Sequence, residues 1–368
     1  MKLFLLAVAV LASIQVFAHT DNPLIKPQDP LMIFNDKVDF YGDVRIRHQE
    51  IHRDDKDNSY QQRYRIRMGM SYNIMDDLIF EAQTSSGKGN PTSGNVKFSD
   101  GLDIDKFKVD VLDLEYKFDK SWIRAGKSKH YFYRPMKTQL IWDNDIRPEG
   151  LSYGYKDGSR ATGGIWKVHR LELKDDPNSD DIYMFSGQYI HQIKYNEDTT
   201  FNIGGGLHHY KGVKGNTAPY AKGPLGNSYS NGVYENDYSI IELTAEVKLK
   251  DVLGKPLKMA TIFAYNAAVS DENFGYDFSM LWGSAKKNNL DWQLGYTYRM
   301  VQKDAVYGAH NDSDFIAGGT DGRGHIFTGK MKLNPNLYTA FHYQWSEKHI
   351  STEPTHYDRL MLDLILKF

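Results

Sequence analysis

The closing nine residues constrain the fold more than any other stretch of this chain. Leu360, Leu362, Leu364, Leu366 and Phe368 fall on one parity, and Met361, Asp363, Ile365 and Lys367 fall on the other. A β-strand alternates its side chains with a period of two, so the segment has one fully apolar face and one mixed face. Tyr60 to Ile74 repeats the pattern: Tyr64, Ile66, Met68, Met70, Tyr72 and Ile74 oppose Arg63, Arg65, Arg67, Gly69, Ser71 and Asn73. Three arginines on one strand face do not suit a dry core, where unpaired charge is costly. They suit the wall of a water-filled lumen. Ile241, Leu243, Ala245, Val247 and Leu249 against Glu242, Thr244, Glu246 and Lys248 behave alike, as do Leu290, Trp292, Leu294, Tyr296 and Tyr298 against Asp291, Gln293, Thr297 and Arg299.

Sixteen strands are predicted, beginning near residues 38, 60, 78, 107, 121, 150, 161, 181, 199, 237, 257, 275, 289, 322, 336 and 356. Val111-Leu112 and Ile165-Trp166 blur the alternation and point to bulges. Connections after even strands are short and turn-like, such as Met75-Asp76-Asp77, Asp119-Lys120 and Asn334-Pro335-Asn336. Those after odd strands include the long segments 88–106, 133–149, 212–236 and 303–321. Short turns at one end and long loops at the other are the pattern of a transmembrane antiparallel β-barrel with periplasmic turns, an all-β fold of about 16 strands here. A secreted multi-sheet protein also alternates, but its core could not hold this much charge on the inner parity.

Composition narrows the function. Mean hydropathy is −0.57 with 40% hydrophobic residues, which excludes a helical membrane bundle. The chain has no cysteine, so disulfide scaffolds, Cys-ligated metals and thiol nucleophiles are excluded. A net charge of −2 gives no nucleic-acid-binding surface. At the N-terminus, Lys2, the apolar run Leu3 to Ala12 and Val16-Phe17-Ala18 read as a signal peptide, residues 1–18, cleaved after Ala18. Pro23, Pro27 and Pro30 make residues 19–36 an irregular periplasmic extension, and residues 37–368 the barrel.

Three stretches carry a family resemblance. Trp142-Asp143-Asn144-Asp145-Ile146-Arg147-Pro148-Glu149-Gly150 resembles a W-D-x-D-x-x-P-E-G element of the putative porins of Gram-negative bacteria. Asp304-Ala305-Val306, Asp312-Ser313-Asp314-Phe315, Gly318 and Asp321-Gly322-Arg323-Gly324-His325 are similar to a second stretch, and Asp358-Arg359-Leu360 to Phe368 to the last strand. The resemblance implies an outer-membrane channel without catalytic residues, cofactor or metal. It also implies lipid and lipopolysaccharide around the barrel and recognition by the barrel assembly machinery through Leu360, Leu362, Leu364, Leu366 and Phe368. A homotrimer is left open.

The expected function is passive diffusion of small hydrophilic solutes, since sixteen strands leave an aqueous channel. The loop 133–149 is the third long loop, where general porins fold a loop inward. Its Arg134, Lys137, Asp143, Asp145, Arg147 and Glu149 make it charged rather than greasy, and Arg45, Arg47, Arg63, Arg65 and Arg67 share the lumenal parity of strands 1 and 2. These eleven residues are the expected constriction, with loop carboxylates facing the arginines across the lumen. One alternative is a sugar-selective channel with Tyr131, Phe132, Tyr133 and Trp142 as an aromatic slide; another is a barrel enzyme. For the latter, Gly150-Leu151-Ser152-Tyr153-Gly154 matches G-x-S-x-G but is followed by turn residues rather than a helix. Gly126-Lys127-Ser128, His48-x-Glu50-x-His52 and Asp55-x-Asp57-x-Ser59 lack the remaining residues of phosphate, zinc and calcium motifs.

Overall fold

The computed structural model describes residues 37–87, 91–98, 107–169, 181–219 and 223–368. The expected signal peptide and extension, residues 1–36, lie outside the described residues. The chain divides into units 1–39 and 40–368. The second contains the barrel wall described below, whose first strand begins two residues before the division.

Among the described residues sixteen long strands form that wall: β1 Val38–Arg53, β2 Ser59–Met75, β3 Leu78–Ser86, β4 Phe107–Phe118, β5 Ser121–Lys127, β6 Glu149–Asp157, β7 Ser159–His169 and β8 Ile182–Lys194 in the first half, with the two-residue segment Val96–Lys97 also paired to β2. The second half is β9 Thr199–Lys211, β10 Tyr238–Val252, β11 Lys255–Asn266, β12 Phe274–Gly283, β13 Trp292–Val301, β14 Gly322–Lys332, β15 Leu337–Lys348 and β16 Thr355–Lys367. Each pairs antiparallel with its sequence neighbours, and β16 closes on β1 with a register running from Asp43 opposite Lys367 to Arg53 opposite Tyr357. Every start lies within three residues of the one read from alternation. Closure follows from the solvent: lipid cannot satisfy the backbone groups of an open edge.

The parity reading holds along the wall. Ile46, Leu243, Leu294 and Leu364 face outward and are exposed, while Arg47, Glu242, Arg299 and Arg359 face inward and are buried. The ladder slips between Gln83 and Thr84, where Val109 and Val111 are paired and Asp110 is skipped, and again between Lys167 and His169. These bulges lie at or just beyond the two places where alternation blurs. At the seam, Gly42 N–H donates to Phe368 O at 2.8 Å, and Phe368 N–H donates back at 3.2 Å. A Cβ at Gly42 would lie 2.6 Å from the Phe368 ring and 2.5 Å from Arg67 O, so only glycine fits there.

Two expectations change. The connection between β12 and β13 is longer than Lys287-Asn288: it spans 284–291 and includes Leu290, which has left the strand with φ +65°. The inner face is also not uniformly polar. Ile182 and Met184 of β8, Tyr210 of β9, Ile240 of β10 and Ile262 of β11 are buried in one apolar cluster with loop residues Trp142, Val213, Tyr234, Tyr307 and Phe315. Dry packing fills part of the lumen, and the charged face of β1 and β2 is left to line open space.

Candidate pore constriction

Arginines from three adjacent strands define the charged wall. Arg45 and Arg47 project from β1, Arg63, Arg65 and Arg67 from β2, and Arg359 from β16. Carboxylates of the same wall hold some of them: Arg47 Nε donates to Asp363 at 2.6 Å, and Arg65 donates to Asp43 at 2.6 Å. Arg45 reaches Asn95 Oδ1 at 2.5 Å, and Arg63 donates to Gln49 at 3.3 Å and to the Asn95 carbonyl at 3.2 Å. Neighbouring strands lie about 4.8 Å apart, so without these partners the guanidiniums would repel strongly.

The 128–148 loop docks on this wall. Strand β5 ends at Lys127, and Ser128 N–H bonded to Pro148 O at 3.0 Å closes the loop base. The loop therefore begins five residues earlier than expected, and Glu149 belongs to β6. There it shares the outward parity of Leu151 and Tyr153 and pairs with Lys127 at 3.0 Å, which removes it from the constriction. The loop has two sides rather than one charged side. Phe132, Leu140, Ile141, Trp142 and Ile146 enter the apolar cluster, with Phe132 and Trp142 stacked at 5.1 Å. Trp142 is 1% exposed, Phe132 6% and Tyr133 9%. Rings this buried cannot form an aromatic slide, and Tyr131 lies under the Arg124 guanidinium at 4.2 Å.

The turn Asp143-Asn144-Asp145 divides labour between its carboxylates. Asp143 is buried and accepts the N–H groups of Asp145 at 2.7 Å and Ser313 at 2.9 Å. It is a joint, not a pore-facing charge. Asp145 accepts from Arg67 at 2.5 Å and lies 3.9 Å from Arg65. Contact is direct, so the expected separation of these charges across the lumen is not found. Arg134 donates to the Thr138 and Trp142 carbonyls and to Asn144, and Arg147 to the Asn144 and Ile146 carbonyls, so both brace the loop. Lys137 stands at the tip, exposed, with φ +64°.

Sequence reasoning missed a second inward loop, residues 302–321. Asp312-Ser313-Asp314 repeats the first turn: Asp312 accepts the Asp314 N–H at 2.9 Å, and Asp314 lies 2.9 Å from Arg359 and 3.4 Å from Arg47. The loops bind each other reciprocally, Asp143 N–H to His310 O at 2.7 Å and Asp312 N–H to Gln139 O at 3.1 Å. The repeated Asp-x-Asp was the available signal.

Electrostatics follow from this placement. Burial disfavours the ionised form of Asp145, yet Arg67, Arg65 and Arg45 outweigh it and hold the group well below the usual carboxylate range. Asp314 is held low in the same way by Arg359 and Arg47 against burial. Asp143 is pushed well above the range by burial and by the charges of Asp145 and Asp312. Burial lowers Arg134 to about 10. Between wall and loops lies a cavity of about 460 Å3 lined by Arg45, Arg65, Arg67, Lys129, Arg134, Lys137 and Arg147 against Asp143, Asp145 and Asp314, with Thr92, Asn95, Gln139, Asn144 and Ser313 among the neutral groups. Seven cations and three carboxylates line it, and Asp43, Asp363, Asp110 and Glu81 stand behind Arg65, Arg45, Arg147 and Lys129.

The tempting motifs are placed as strand and turn. Ser152 is buried within β6, and no helix follows it; Lys127 ends β5. His48 bonds Glu50 at 2.8 Å on the outward parity of β1, and Asp55 pairs with Lys348. Among the described residues no cluster of three or more His, Asp or Glu could hold a metal ion.

A family model described as putative porin matches residues 49–230 and 233–368. No curated protein matches the sequence. Among solved structures, Pseudomonas putida OprB is similar at TM-score 0.60 and 10% identity, over 91% of this chain and 95% of that one. OmpF of Salmonella typhi, in complex with daunomycin, reaches 0.54 and 13% over 91% and 99%. The trimer form of OmpT, an outer-membrane protein of Vibrio cholerae, reaches 0.50 and 13% over 90% and 99%.

Proposed function

The chain belongs to the putative porin family and is an outer-membrane β-barrel channel; from that premise we propose that it passes small hydrophilic solutes by diffusion, with a preference for anions set at the 128–148 loop. The cavity lined by seven cations and three carboxylates carries this reading. Burial and the charges of Asp145 and Asp312 raise Asp143 well above the usual carboxylate range, which weakens its share of the negative side of that lining. A field of one sign in a confined aqueous space raises the local concentration of the opposite ion. Arg45, Arg47, Arg63, Arg65, Arg67 and Lys137 are the pore-lining residues of this reading, and Arg134, Arg147, Asp143 and Asp145 set the loop against them.

The reading includes export by the 1–18 leader, assembly through the C-terminal strand, and a homotrimer, for which the trimer form of Vibrio cholerae OmpT is the support. It involves no catalysis, supported by the strand setting of Ser152. Conductance in a planar bilayer tests it: an ohmic step with a reversal potential toward the chloride equilibrium value supports diffusion with anion preference. Saturation by a single neutral sugar would support a sugar-selective channel instead.

A further inference from the structure

Of the arginines that define the charged wall, four hold a carboxylate at short range: Arg47 with Asp363 at 2.6 Å, Arg65 with Asp43 at 2.6 Å, Arg67 with Asp145 at 2.5 Å and Arg359 with Asp314 at 2.9 Å. The other two, Arg45 and Arg63, meet at one neutral residue. Arg45 donates to Asn95 Oδ1 at 2.5 Å, and Arg63 donates to the Asn95 carbonyl at 3.2 Å. Asp363 lies 3.7 Å from Arg45, but both of its oxygens are bonded to Arg47. The remaining acceptor of Arg63 is the Gln49 amide oxygen at 3.3 Å, and among the described residues no carboxylate lies within 4 Å of this guanidinium.

A further chain segment delivers Asn95 to the lumenal side. The pairing of β3 with β2 ends with Ser85 opposite Arg67, and Val96–Lys97 takes over opposite Tyr64 and Arg63. Without it this stretch of β2 would present unpaired backbone groups. Just before the pairing, the carbonyls of four successive residues each accept from a different element. Thr92 accepts from the Ser313 hydroxyl at 3.0 Å, Ser93 from Lys108 at 3.2 Å, Gly94 from the Ser86 hydroxyl at 2.7 Å and Asn95 from Arg63. A Cβ at Gly94 would lie 2.5 Å from Ser85 Oγ, so the segment sits close against β3. The Asn95 amide is oriented from both ends. Its Nδ2 faces the Ser93 hydroxyl at 3.3 Å, which can accept, and its Oδ1 faces Arg45, which can only donate.

We propose that Asn95 is a selectivity-determining residue of the channel, a neutral clamp that fixes Arg45 and Arg63 without cancelling their charge. This deepens the anion-preference reading of the cavity that Arg45, Thr92 and Asn95 help to line, and rests on it for the sign of the wild-type selectivity. An amide or peptide oxygen satisfies a guanidinium donor with a partial charge, whereas a carboxylate at the same distance brings a full unit of opposite charge. Carboxylates therefore offset the wall charge at Arg47, Arg65, Arg67 and Arg359, and neutral oxygens leave it in place at Arg45 and Arg63. Asparagine and aspartate have nearly the same shape. The choice between them at this position changes the field in the cavity while leaving the segment able to fold as it does.

Reversal potentials of the full barrel in a low-salt KCl gradient test it. Asn95→Asp should lower the chloride-to-potassium permeability ratio about twofold or more, and the change should fade at 1 M salt, where the Debye length is about 3 Å. Arg45→Gln removes the charge that Asn95 leaves in place and should lower the ratio to a similar extent. Asn95→Ala removes the clamp but no charge, so the ratio should hold while open-channel noise rises. Asn196→Asp, the same charge change on the exposed turn after β8, should leave the ratio unchanged. Heat-modifiable mobility reports the folding of each variant. An unshifted ratio in Asn95→Asp or Arg45→Gln would overturn the assignment, and so would an equal shift in Asn95→Asp and Asn95→Ala, the mark of a merely structural residue. A wild-type channel without anion preference, in which Asn95→Asp still shifts the ratio, would overturn the anion reading and support the role of Asn95.

Discussion

Arg67 on β2 and Asp145 in the 128–148 loop lie 2.5 Å apart although 78 positions separate them in sequence. That contact sets where the loop sits, because Asp145 has no other charged anchor as close. Replacing Asp145 by Asn should release Arg67, leave Arg65 on Asp43, and make the cavity more cationic. One unit charge acting at about 8 Å through water is worth about 0.5 kcal/mol, or about twofold in relative ion permeability. Reversal potential under a KCl gradient should shift toward anions by that amount, and an unshifted value would detach Asp145 from selectivity.

The wall gives the opposite sign. Arg63, Arg65 and Arg67 replaced together by Ser should raise conductance and move the reversal potential toward cations. The change should fade at 1 M salt, where the Debye length is about 3 Å. Unchanged low-salt selectivity would remove these arginines from the conducting path.

Titration acts on the loop in two directions. Asp145 and Asp314 are held below their unfolded values by guanidiniums, so their stabilisation is present above about pH 3.9 and is lost as pH falls through their lower folded values. Asp143 is raised by burial and by two carboxylate neighbours, so its contribution is present below the unfolded value and is lost as pH rises toward the folded one. Open-channel noise from loop motion should therefore be lowest at about pH 4–5 and rise on both sides. Flat noise from pH 2 to 9 would mean that these carboxylates do not hold the loops.

Asp143 also joins two loops. Asp143→Ala strands the N–H groups of Asp145 and Ser313, and each buried unsatisfied donor costs about 1–3 kcal/mol. The measurement is urea unfolding of the lipid-reconstituted barrel, in which the variant midpoint should fall. By contrast, Arg at Met68 or Leu294, both outward, should cost about 2–4 kcal/mol at the bilayer midplane, and no loss at either would invert the parity assignment.

Insertion should be tolerated at Gly215 and Gly232, where a Cβ would meet nothing within 4 Å. Elsewhere in the 212–237 connection, the described residues are tied down despite its Gly, Pro and Asn content. Val213 and Tyr234 are buried, and Asn227 donates to the Lys303 and Val306 carbonyls. Gly42→Val, which strikes the Phe368 ring, should impair assembly as severely as deleting Phe368. Equal yields of the Gly232 insertion and Gly42→Val would refute this contrast.

The wall was legible because a strand's period is local: Leu360 to Phe368 or Tyr64 to Ile74 show it within a dozen residues. Loop interiors carry no period. Trp142 and Phe132 could as well have lined an open path as filled a core, and what decides is packing against Tyr210, Tyr307 and Phe315, each far away in sequence. The role of Asp314 was hidden for the same reason, although Asp312-Ser313-Asp314 visibly repeats Asp143-Asn144-Asp145.

The register of β1 on β16 has a kinetic consequence. Arg47 and Asp363 are 316 positions apart and pair across the seam, and Arg359 with Asp314 completes that stretch of wall. Bringing such distant segments together has a large entropic cost before any contact rewards it, so closure is the slow, late event of folding. Until it happens, the guanidiniums of β1 face no carboxylate from β16. The pairing of the β1 arginines with β16 is therefore absent from every barrel still open at this seam and arrives in one step with its closure.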